Sequence, residues 1–554
     1  MGGVSRVSAN QALASGVIDR LRAAGVRTFC VCPGGRNAPL LEVLDAMPAG
    51  RAEVLSFFDE RSAAFFALGR ARRDRSPVAV VTTSGTAAAE LLPAMVEAYY
   101  SAVPVVAVTA DRPRAHRGSG SPQAIEQLNI FGVYASISVD LEDPEEPLAL
   151  PALSAPAHVN VCFSEPLLGG WSTDEGPSFD GVASGRRPVG HGDDRVLAAR
   201  GEAVAEAAAF LAGARSPLVI AGGLPDACDS REALRFCQAL GAPVVAEASS
   251  GIRGDLGPLA LRSGDAAIQR GFAERVFDSV IRLGDVPSFR VWRDLDLSLP
   301  VPVLSVSRKP WRGLTRGVHV QAPPGAPLVP SDLAAWAGRN TIGSAGGHQP
   351  EHGFRRAQAL FEWDCRMSDA TDRCLVSHPE SEPAIVRRLS ETIPHGSFVY
   401  LGNSLPIREW NQFATTRDRG FTYGENRGAN GIDGQAASFL GWAQPGVENW
   451  AIIGDLTALY DLSALWALRH VAGLLLRIVV INNGGGRIFK RMFSNERFQN
   501  RHAVGFEAWA AMWGAEYHAT IPDHSLGSAV VIELRPDDAQ TDAVWAALAD
   551  EARR

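Results

Sequence analysis

The sequence predicts an α/β protein with three doubly wound parallel-sheet domains, and two features of the 554-residue chain support this prediction. Apolar runs of strand length alternate with segments of helical periodicity, which is typical of parallel sheets covered by helices on both faces. Two stretches rich in Gly, Pro, Ser and Asp, at 169–194 and 322–353, interrupt the alternation and indicate linkers. We therefore predict domains at 1–180, 195–340 and 355–554.

The predicted elements follow one another in a regular order along the chain. In the first domain they are helices at 12–24, 62–72 and 86–100 and strands at 28–32, 77–82 and 104–109. In the second domain they are strands at 217–221, 243–246, 279–283 and 301–306. In the third domain they are strands at 397–401, 450–453, 476–481 and 529–534. Most of these strands are short continuous apolar runs, which favours burial in parallel sheets.

The composition is that of a soluble globular protein and excludes several other classes. Apolar residues make up 46% of the chain, and the net charge is −8 without a run of Lys or Arg, so nucleic acid is not an expected partner. The apolar runs are far shorter than the ~20 residues of a membrane span. The N-terminus has no apolar signal-peptide region. The seven cysteines lack metal-binding spacing, so we expect core thiols and a cytoplasmic protein.

The most informative motifs follow two predicted strands of the third domain. Gly454-Asp455-Leu456 comes after the first of them, and Asn482-Asn483-Gly484-Gly485-Gly486 comes after the second. Because open α/β sheets bind ligands at the carboxyl ends of their strands, we expect both motifs in loops at one edge. A carboxylate, an Asn oxygen and a Gly-rich backbone suit Mg²⁺ bound to a diphosphate. Taken singly, each motif also fits an ordinary β-turn after a strand.

Polar loops also follow successive strands of the first domain. These loops are Pro33-Gly34-Gly35-Arg36-Asn37, Asp59-Glu60-Arg61-Ser62, Thr83-Ser84-Gly85-Thr86 and Asp111-Arg112-Pro113. Strand ends that share an edge can converge on one cleft, so we expect these loops to form a single site. Glu60 begins a predicted helix, where an acid can also serve only to stabilise the helix dipole, by ~0.3–1 kcal/mol.

Together the motifs resemble a known enzyme family, the thiamine-diphosphate-dependent SEPHCHC synthases of menaquinone biosynthesis (2-succinyl-5-enolpyruvyl-6-hydroxy-3-cyclohexene-1-carboxylate synthases). The resemblance runs in order from about Cys32 to Phe489 and is weakest in the middle domain. Besides the motifs already given, the matching segments are Gln123-Ala124-Ile125, Gly402-Asn403-Ser404-Leu405-Pro406-Ile407-Arg408 and Asn426-Arg427-Gly428-Ala429-Asn430-Gly431-Ile432-Asp433-Gly434. Gly35 departs from the family, which usually has Ser at that position.

The resemblance implies a pyruvate decarboxylase-like architecture with thiamine diphosphate and Mg²⁺, or Mn²⁺ in its place, as cofactors. Asp455, Asn483 and the Gly485 carbonyl match the metal ligands of the family. Glu60 matches the catalytic carboxylate that hydrogen-bonds the aminopyrimidine ring. The other implied cofactor contacts are Thr83, Ser404, Leu405, Ile432, Gly454, Leu456, Ile488 and Phe489. Ile488 and Phe489 also fit ordinary core packing.

The family reaction implies 2-oxoglutarate and isochorismate as substrates. Decarboxylation of 2-oxoglutarate gives a succinic-semialdehyde carbanion, which adds to isochorismate in a conjugate sense. Both substrates are dicarboxylates, and Arg recognises carboxylates with a bidentate fork. The implied substrate contacts are Arg36, Arg112, Gln123, Arg290, Asn403, Ser404, Arg408, Arg427, Ile488 and Phe489, of which Arg290 rests on a loose match. Because relatives place the cofactor between two chains, we expect a homodimer or a dimer of dimers.

Three other functions are alternatives to this reaction. They are another thiamine-diphosphate carboligase or 2-oxoacid decarboxylase, a non-catalytic protein of the same fold, and a nicotinamide or flavin oxidoreductase. The arginines and the run from Asn426 to Gly434 argue against the first alternative. The presence of Glu60, Asp455 and Asn483 together argues against the second. Against the third, Gly222-Gly223 follows a strand but lacks the Gly-x-Gly-x-x-Gly spacing of dinucleotide-binding loops.

Overall fold

The strands form three sheets in which every pairing is parallel, in a computed structural model that describes residues 6–151, 153–168, 194–224, 226–339, 351–493, 495–522 and 526–554. The first sheet consists of β1 (Thr28–Val31), β2 (Glu53–Ser56), β3 (Val78–Thr82), β4 (Val105–Asp111), β5 (Ile137–Leu141) and β6 (Ala157–Cys162), in the order β2-β1-β3-β4-β6-β5. The second consists of β7 (Pro217–Ala221), β8 (Val244–Ala246), β9 (Ser279–Leu283), β10 (Val303–Ser307) and β11 (Val318–Gln321), in the order β11-β10-β9-β7-β8. The third consists of β12 (Phe398–Leu401), β13 (Thr422–Gly424), β14 (Glu448–Gly454), β15 (Leu475–Ile481), β16 (Glu516–His518) and β17 (Ala529–Leu534), in the order β13-β12-β14-β15-β17-β16.

Helices connect the strands, as the alternating pattern predicts. They are α1 (Arg6–Ala23), α2 (Ala38–Asp45), α3 (Glu60–Asp74), α4 (Thr86–Ala89), α5 (Leu92–Ser101), α6 (Asp194–Gly213), α7 (Ala227–Leu240), α8 (Asp265–Ala273), α9 (Arg290–Leu297), α10 (Ser331–Arg339), α11 (Glu351–Ser377), α12 (Glu382–Thr392), α13 (Leu405–Phe413), α14 (Gln435–Trp442), α15 (Asp455–Tyr460), α16 (Glu507–Met512) and α17 (Asp538–Arg553). Shorter 3-10 turns lie at Arg114–His116, Gly132–Tyr134, Ala248–Ser250, Gly257–Leu259, Ala464–His470, Arg487–Phe489 and Glu496–Gln499. Across the described ranges, no helix is both long and apolar enough to cross a membrane.

The chain forms two compact units. The first unit contains the first sheet together with Asn426–Gly446 and Thr457–Leu474, and the second unit contains the second and third sheets. The three-sheet α/β fold is as predicted, and each sheet lies within one of the three predicted domain ranges. The domain boundaries themselves stay predictions. The predicted linker at 169–194 lies outside the described residues except for Asp194, which begins α6.

Most central strands agree with the sequence pattern, and most edge strands do not. All seven residues of β4 are buried, because helices cover both faces of a parallel sheet. The sequence pattern does not predict β2, β5, β6, β11, β13 and β16. Apart from β6, these are edge strands. They are short, and most of their residues are at least partly exposed, so they lack a continuous apolar run. In β6 the buried polar residues His158 and Asn160 interrupt that run.

Two predicted segments differ in detail from the structure. The predicted helix at 86–100 is divided into α4 and α5, since Pro93, in the first turn of α5, has no N–H to continue the preceding helix. The predicted linker at 322–353 contains α10 and the start of α11, and its residues 340–350 lie outside the described ranges.

Within the first unit, α3 and α14 pack with their backbones in close contact. A Cβ atom at Gly69 would lie 2.0 Å from the Ser438 carbonyl oxygen, and one at Gly441 would lie 2.1 Å from the Phe66 carbonyl oxygen. Only glycine allows this approach. The packing holds the start of α3 in a fixed position relative to the loop that precedes α14.

Candidate active site

In the first unit, the loops after β1 and β3 meet, as expected from the strand-end pattern. The Asn37 amide closes the β1 loop, since its Oδ1 accepts from the Gly34 N–H at 2.9 Å and its Nδ2 donates to the Cys32 carbonyl at 2.9 Å. The Arg36 N–H donates to Thr83 Oγ1 at 3.3 Å. A Cβ atom at Gly34 would lie 2.5 Å from the Thr83 Cβ, so the contact of the two loops requires glycine there.

The Arg36 side chain is buried and already paired. It donates to the Phe163 carbonyl at 3.0 Å and forms an ion pair with Glu165 at 3.0 Å. The Glu165 side chain is 65% exposed, so it can move into water when another carboxylate binds Arg36. The Arg36–Glu165 pair thus has one buried and one exposed partner.

Glu60 is the first residue of α3, but the helix is capped by its neighbour. The Asp59 carboxylate accepts from the Ser62 N–H at 3.1 Å and from the hydroxyls of Ser62 and Ser463. Burial raises the pKa of the Glu60 carboxyl, although a hydrogen bond from its own N–H opposes this shift. The cap of α3 is therefore Asp59 and not Glu60.

Gln127 joins the loop after β3 to the end of β4. Gln127 accepts from the Gly85 N–H at 2.8 Å and donates to the Ala110 carbonyl at 3.1 Å. Arg112 donates from Nε to the Pro122 carbonyl at 3.0 Å, in the turn that leads to the exposed Gln123. The structure thus brings Arg112 and Gln123 together beside the Gly85 loop. Sequence reasoning missed Gln127, whose role depends on a contact between two loops.

A buried glutamate, also missed in the sequence, holds the loop that carries Arg427. Glu97 in α5 accepts from the N–H groups of Gly428 and Ala429, at 2.8 and 2.6 Å. Ser101 donates to the same carboxylate at 2.7 Å. Arg427 is itself buried. A glutamate in an amphipathic helix gives no sequence signal for such a role.

Asp461 closes the other end of this loop at the start of α14. Its carboxylate accepts from the N–H groups of Gly434 and Ala436, at 2.8 and 3.0 Å. Burial raises the pKa of Asp461 to about 6, although these bonds and the Arg61 guanidinium at 3.7 Å oppose the shift. Ile432, one of the implied cofactor contacts, lies half-buried in the loop so held.

In the second unit, the motifs after β14 and β15 come together. Asp455 Oδ2 accepts from the Gly485 N–H at 2.8 Å, and Oδ1 accepts from the Leu456 N–H at 2.6 Å. Asp455 was expected in a loop, but it begins α15 directly after the strand. Burial raises the pKa of its carboxyl. A Cβ atom at Gly485 would lie 2.4 Å from the Gln499 carbonyl oxygen, so glycine is required.

The two neighbouring asparagines have different partners. Asn482 donates to the Val504 carbonyl and to Glu533, at 2.8 and 2.7 Å, and its oxygen accepts from the Gly484 N–H. Asn483 donates to Glu382, while its own Oδ1 is buried and has no hydrogen-bond partner. Asn483 therefore offers a free oxygen to a cation and Asn482 does not.

The residues beside Asp455 fit a magnesium ion. An anionic carboxylate, an unpartnered amide oxygen and the Gly485 carbonyl are the hard oxygen donors that Mg²⁺ prefers. The described ranges contain no cluster of three or more His, Cys, Asp or Glu side chains that could hold a metal ion. A site made only of such side chains is not needed when a diphosphate supplies further oxygens. The His502 ring nitrogen lies 3.3 Å from Asp455 Oδ2.

A pair of buried carboxyls lies behind Asn483. Glu382 and Glu409 are 2% and 1% exposed, and burial raises the pKa of both. The charge of Glu382 raises the pKa of Glu409 further, so of the two carboxyls Glu409 resists ionisation more. Sequence periodicity does not reveal this pair, because its members belong to different helices.

The predicted substrate residues after β12 lie near the start of α9. Arg408 donates to the Ser404 carbonyl at 2.6 Å, and Ser404 has a φ of 74°, which is uncommon for a non-glycine residue. Leu405 begins α13, and Asn403 is buried. The backbone N–H of Arg290 donates to Asp265 at 3.1 Å. Burial raises the pKa of the Asp265 carboxyl, and the charge of Arg408 opposes this shift. The Arg290 backbone and the Arg408 charge thus both act on Asp265.

The residues after the glycine run are only partly buried. Ile488 is half-buried, and Phe489 is 37% exposed beside Phe493 and Phe498, at ring distances of 6.0 and 6.3 Å. Ordinary core packing does not describe Phe489, since an aromatic residue in a core would be covered.

The glycine turn of the second sheet is closed to a dinucleotide. A Cβ atom at Gly222 would lie 2.1 Å from the Asp285 carbonyl oxygen, and one at Gly223 would lie 2.5 Å from Glu425 Oε1. A carboxylate at this position would repel a diphosphate. This geometry argues against a nicotinamide or flavin site in the turn.

The chain is similar to known proteins over most of its length. Residues 11–130 match the family model described as thiamine pyrophosphate enzyme, N-terminal TPP binding domain. The 2-succinyl-5-enolpyruvyl-6-hydroxy-3-cyclohexene-1-carboxylate synthase of Bdellovibrio bacteriovorus is 41% identical over 555 residues, which cover 97% of this chain and 98% of that protein. The proteins of the same name from Akkermansia muciniphila and Geobacillus kaustophilus are 39% and 33% identical. Their alignments cover 95% and 89% of this chain and 96% and 85% of those proteins.

Proposed function

The chain belongs to the SEPHCHC synthase family, and we propose that it couples 2-oxoglutarate to isochorismate, with loss of CO₂, in menaquinone biosynthesis. The structural observation that supports this function best is the donor set of Asp455, the unpartnered Asn483 oxygen and Gly485. These atoms suit the metal–diphosphate end of thiamine diphosphate. Mg²⁺ is the expected ion, and Mn²⁺ can take its place.

When bound, thiamine diphosphate supplies a stabilised carbanion that allows a 2-oxoacid to lose CO₂ and transfer the remaining fragment. Gly454 and Leu456 flank the proposed metal ligand Asp455 at the diphosphate. Thr83, Ser404, Leu405, Ile432, Ile488 and Phe489 would contact the rest of the cofactor. Ile432 would keep the cofactor bent, since an apolar side chain can fill the angle between its rings.

Glu60 would hydrogen-bond a ring nitrogen of the aminopyrimidine. Burial raises its pKa, which favours sharing of a proton with that nitrogen at neutral pH. The Glu60 carboxyl has this role available because Asp59 caps α3. In this role Glu60 would assist the movement of a proton at the cofactor.

The arginines would bind the substrate carboxylates. The chain has a net charge of −8, so two dicarboxylates require local positive charge. Arg290 and Arg408 belong to the second unit, and Arg36, Arg112 and Arg427 belong to the first. Gln123, Asn403 and Ser404 would add neutral hydrogen bonds. Each bidentate Arg–carboxylate pair fixes orientation as well as affinity.

We further propose a homodimer, or a dimer of dimers, in the cytoplasm. Glu60 belongs to the first unit and Asp455 to the second, and the proposed cofactor site takes one from each of two copies. Exposed apolar side chains occur in both units, with Phe58, next but one to Glu60, at 54% exposure in the first and Phe493 at 41% in the second. Exposed apolar residues of this size are common where proteins associate. Seven free cysteines are in keeping with a reducing compartment.

Product analysis tests the proposed reaction. The purified protein is incubated with 2-oxoglutarate, isochorismate, thiamine diphosphate and Mg²⁺, and the products are identified by mass spectrometry. We expect SEPHCHC and CO₂ in equal amounts, and no SEPHCHC when pyruvate replaces 2-oxoglutarate. Release of succinic semialdehyde at the same rate with or without isochorismate would instead indicate a simple 2-oxoacid decarboxylase.

A further inference from the structure

Two adjacent asparagines after β15 are each held by a buried glutamate, with different results. Asn482 uses both ends of its amide, because Nδ2 donates to Glu533 and Oδ1 accepts from the Gly484 N–H. Asn483 uses one end only, since Nδ2 donates to both carboxylate oxygens of Glu382 at 3.0 Å. Its Oδ1 is buried without a partner. Leaving a buried acceptor unpaired is costly unless a ligand completes it.

The partner of Asn483 determines which end of its amide faces the site. The oxygen and the NH₂ group of a primary amide are nearly equal in size, so hydrogen bonds alone fix its orientation. Both oxygens of the Glu382 carboxyl lie 3.0 Å from Asn483 Nδ2 and accept from it. Glu382 therefore captures Nδ2 and leaves Oδ1 on the other side. Rotation of the amide would set its oxygen against the Glu382 carboxylate, and the two acceptors would repel each other.

The Glu382 side chain has no part in capping its own helix. Ser381 caps α12, since its hydroxyl accepts from the Ala384 N–H at 3.3 Å. The Glu382 backbone N–H is satisfied by Thr541 Oγ1 at 3.0 Å. The carboxylate is nevertheless 2% exposed, a position that costs desolvation energy. A role toward Asn483 accounts for its burial.

We propose that Glu382 is a positioning residue for the metal, because it holds the Asn483 amide with its oxygen toward the cation that Asp455 also binds. The inference rests on the proposed thiamine-diphosphate site. Removal of an outer-shell partner of a metal ligand typically lowers metal affinity by about 10–100-fold. Glu382→Gln keeps the size of the side chain but replaces one acceptor by a donor. That donor would compete for the Asn483 oxygen.

The test compares wild type, Glu382→Gln, Asn483→Ala and the double variant. Mg²⁺ is titrated at a fixed concentration of thiamine diphosphate, binding is followed by calorimetry, and the melting temperature of each cofactor-free protein is recorded. We expect Glu382→Gln to raise the Mg²⁺ concentration for half-saturation about 10-fold or more. In the Asn483→Ala background the same substitution should have no further effect. Glu533→Gln, at the neighbouring asparagine, is the matched control and should leave the Mg²⁺ dependence unchanged.

Three results would overturn the inference. The first is an unchanged Mg²⁺ concentration for half-saturation in Glu382→Gln. The second is an equal loss of Mg²⁺ affinity when Glu382→Gln is added to Asn483→Ala. The third is the same loss of Mg²⁺ affinity in Glu533→Gln. The first two would show that Glu382 does not act on the metal through Asn483, and the third that any loosening of the loop suffices. A wild-type Mg²⁺ dependence in Asn483→Ala would contradict the proposed metal site itself, and the inference with it.

Discussion

The Gly485 N–H donates to Asp455 Oδ2 across 2.8 Å and so joins the start of α15 to the loop after β15, across 30 residues of sequence. These two segments follow β14 and β15, which are adjacent parallel strands, so both emerge at the same edge of the third sheet. This bond orients the Asp455 carboxylate beside the Gly485 carbonyl. It is the reason that two separate sequence motifs can act as one site.

Asp455→Ala should therefore abolish metal-dependent cofactor binding without unfolding the protein. The substitution removes the anionic ligand of the metal. The resulting loss of metal affinity should be larger than the loss of about 10–100-fold that follows a change in an outer-shell residue. It leaves the Gly485 N–H unpaired but also removes a buried carboxylate, so the free energy of unfolding should change by no more than about 2 kcal/mol. Calorimetric titration with thiamine diphosphate and Mg²⁺ measures the first effect, and chemical denaturation of the cofactor-free protein measures the second. Wild-type cofactor affinity would contradict the assignment.

Gly35→Ser restores the residue usual in the family and should be tolerated. No atom lies within 4 Å of a Cβ atom placed at Gly35, so the free energy of unfolding should stay within about 0.5 kcal/mol of wild type. If the added hydroxyl reaches a substrate, kcat/KM should rise by up to about 10-fold, the value of one neutral hydrogen bond. Gly34→Ser is the matched control and should destabilise, because its Cβ would meet Thr83 at 2.5 Å. Similar melting temperatures for the two variants would show that the loops are not packed as described.

Glu97→Gln should impair substrate use through the loop that carries Arg427. Gln can accept from only one of the two N–H groups that Glu97 binds, at Gly428 and Ala429, so about 1–3 kcal/mol of stability should be lost. We expect a higher KM for a substrate and an unchanged affinity for thiamine diphosphate. Ser101→Ala removes a hydrogen bond to Glu97 but spares the loop, and it serves as the control. An unchanged KM in Glu97→Gln would remove Glu97 from this role.

Asp461 should make stability depend on pH in a definite direction. Burial raises its pKa from 3.8 to about 6, so between these values the folded protein binds a proton that the unfolded chain has released. The stabilisation is thus fully present below pH 3.8 and is lost as the pH rises through 6, by about 3 kcal/mol in total. Denaturation of wild type and Asp461→Asn between pH 4 and 7 measures it as a difference. A difference that is constant with pH, or that grows in favour of wild type as the pH rises, would contradict this account.

The sequence predicts what is local and misses what joins distant segments. Continuous apolar runs identify central strands such as β14 and β15, whereas β2 and β16 at sheet edges lack that pattern. Glu60 and Asp455 stand out because each follows a strand within a recognisable motif. Glu382 and Glu97 cannot be recognised in the sequence, because their partners lie 101 and 331 residues away in the chain. A buried carboxylate whose role depends on another segment has no local signature.

The proposed site takes Glu60 from one copy and Asp455 from another, and a hybrid dimer tests this arrangement. Glu60→Gln and Asp455→Ala chains, each with its own affinity tag, are co-expressed, and dimers that carry both tags are isolated. Each homodimer should be inactive, because both of its sites lack one essential carboxylate. In the hybrid, one site has both substitutions and the other has none.

The deciding measurement is SEPHCHC formation by the hybrid from 2-oxoglutarate and isochorismate. If the cofactor binds between two copies, the hybrid should show about half of the wild-type rate per dimer, because one of its two symmetry-related sites is intact. A hybrid as inactive as the two homodimers would contradict the account, since it would mean that Glu60 and Asp455 act within a single chain or do not serve one site.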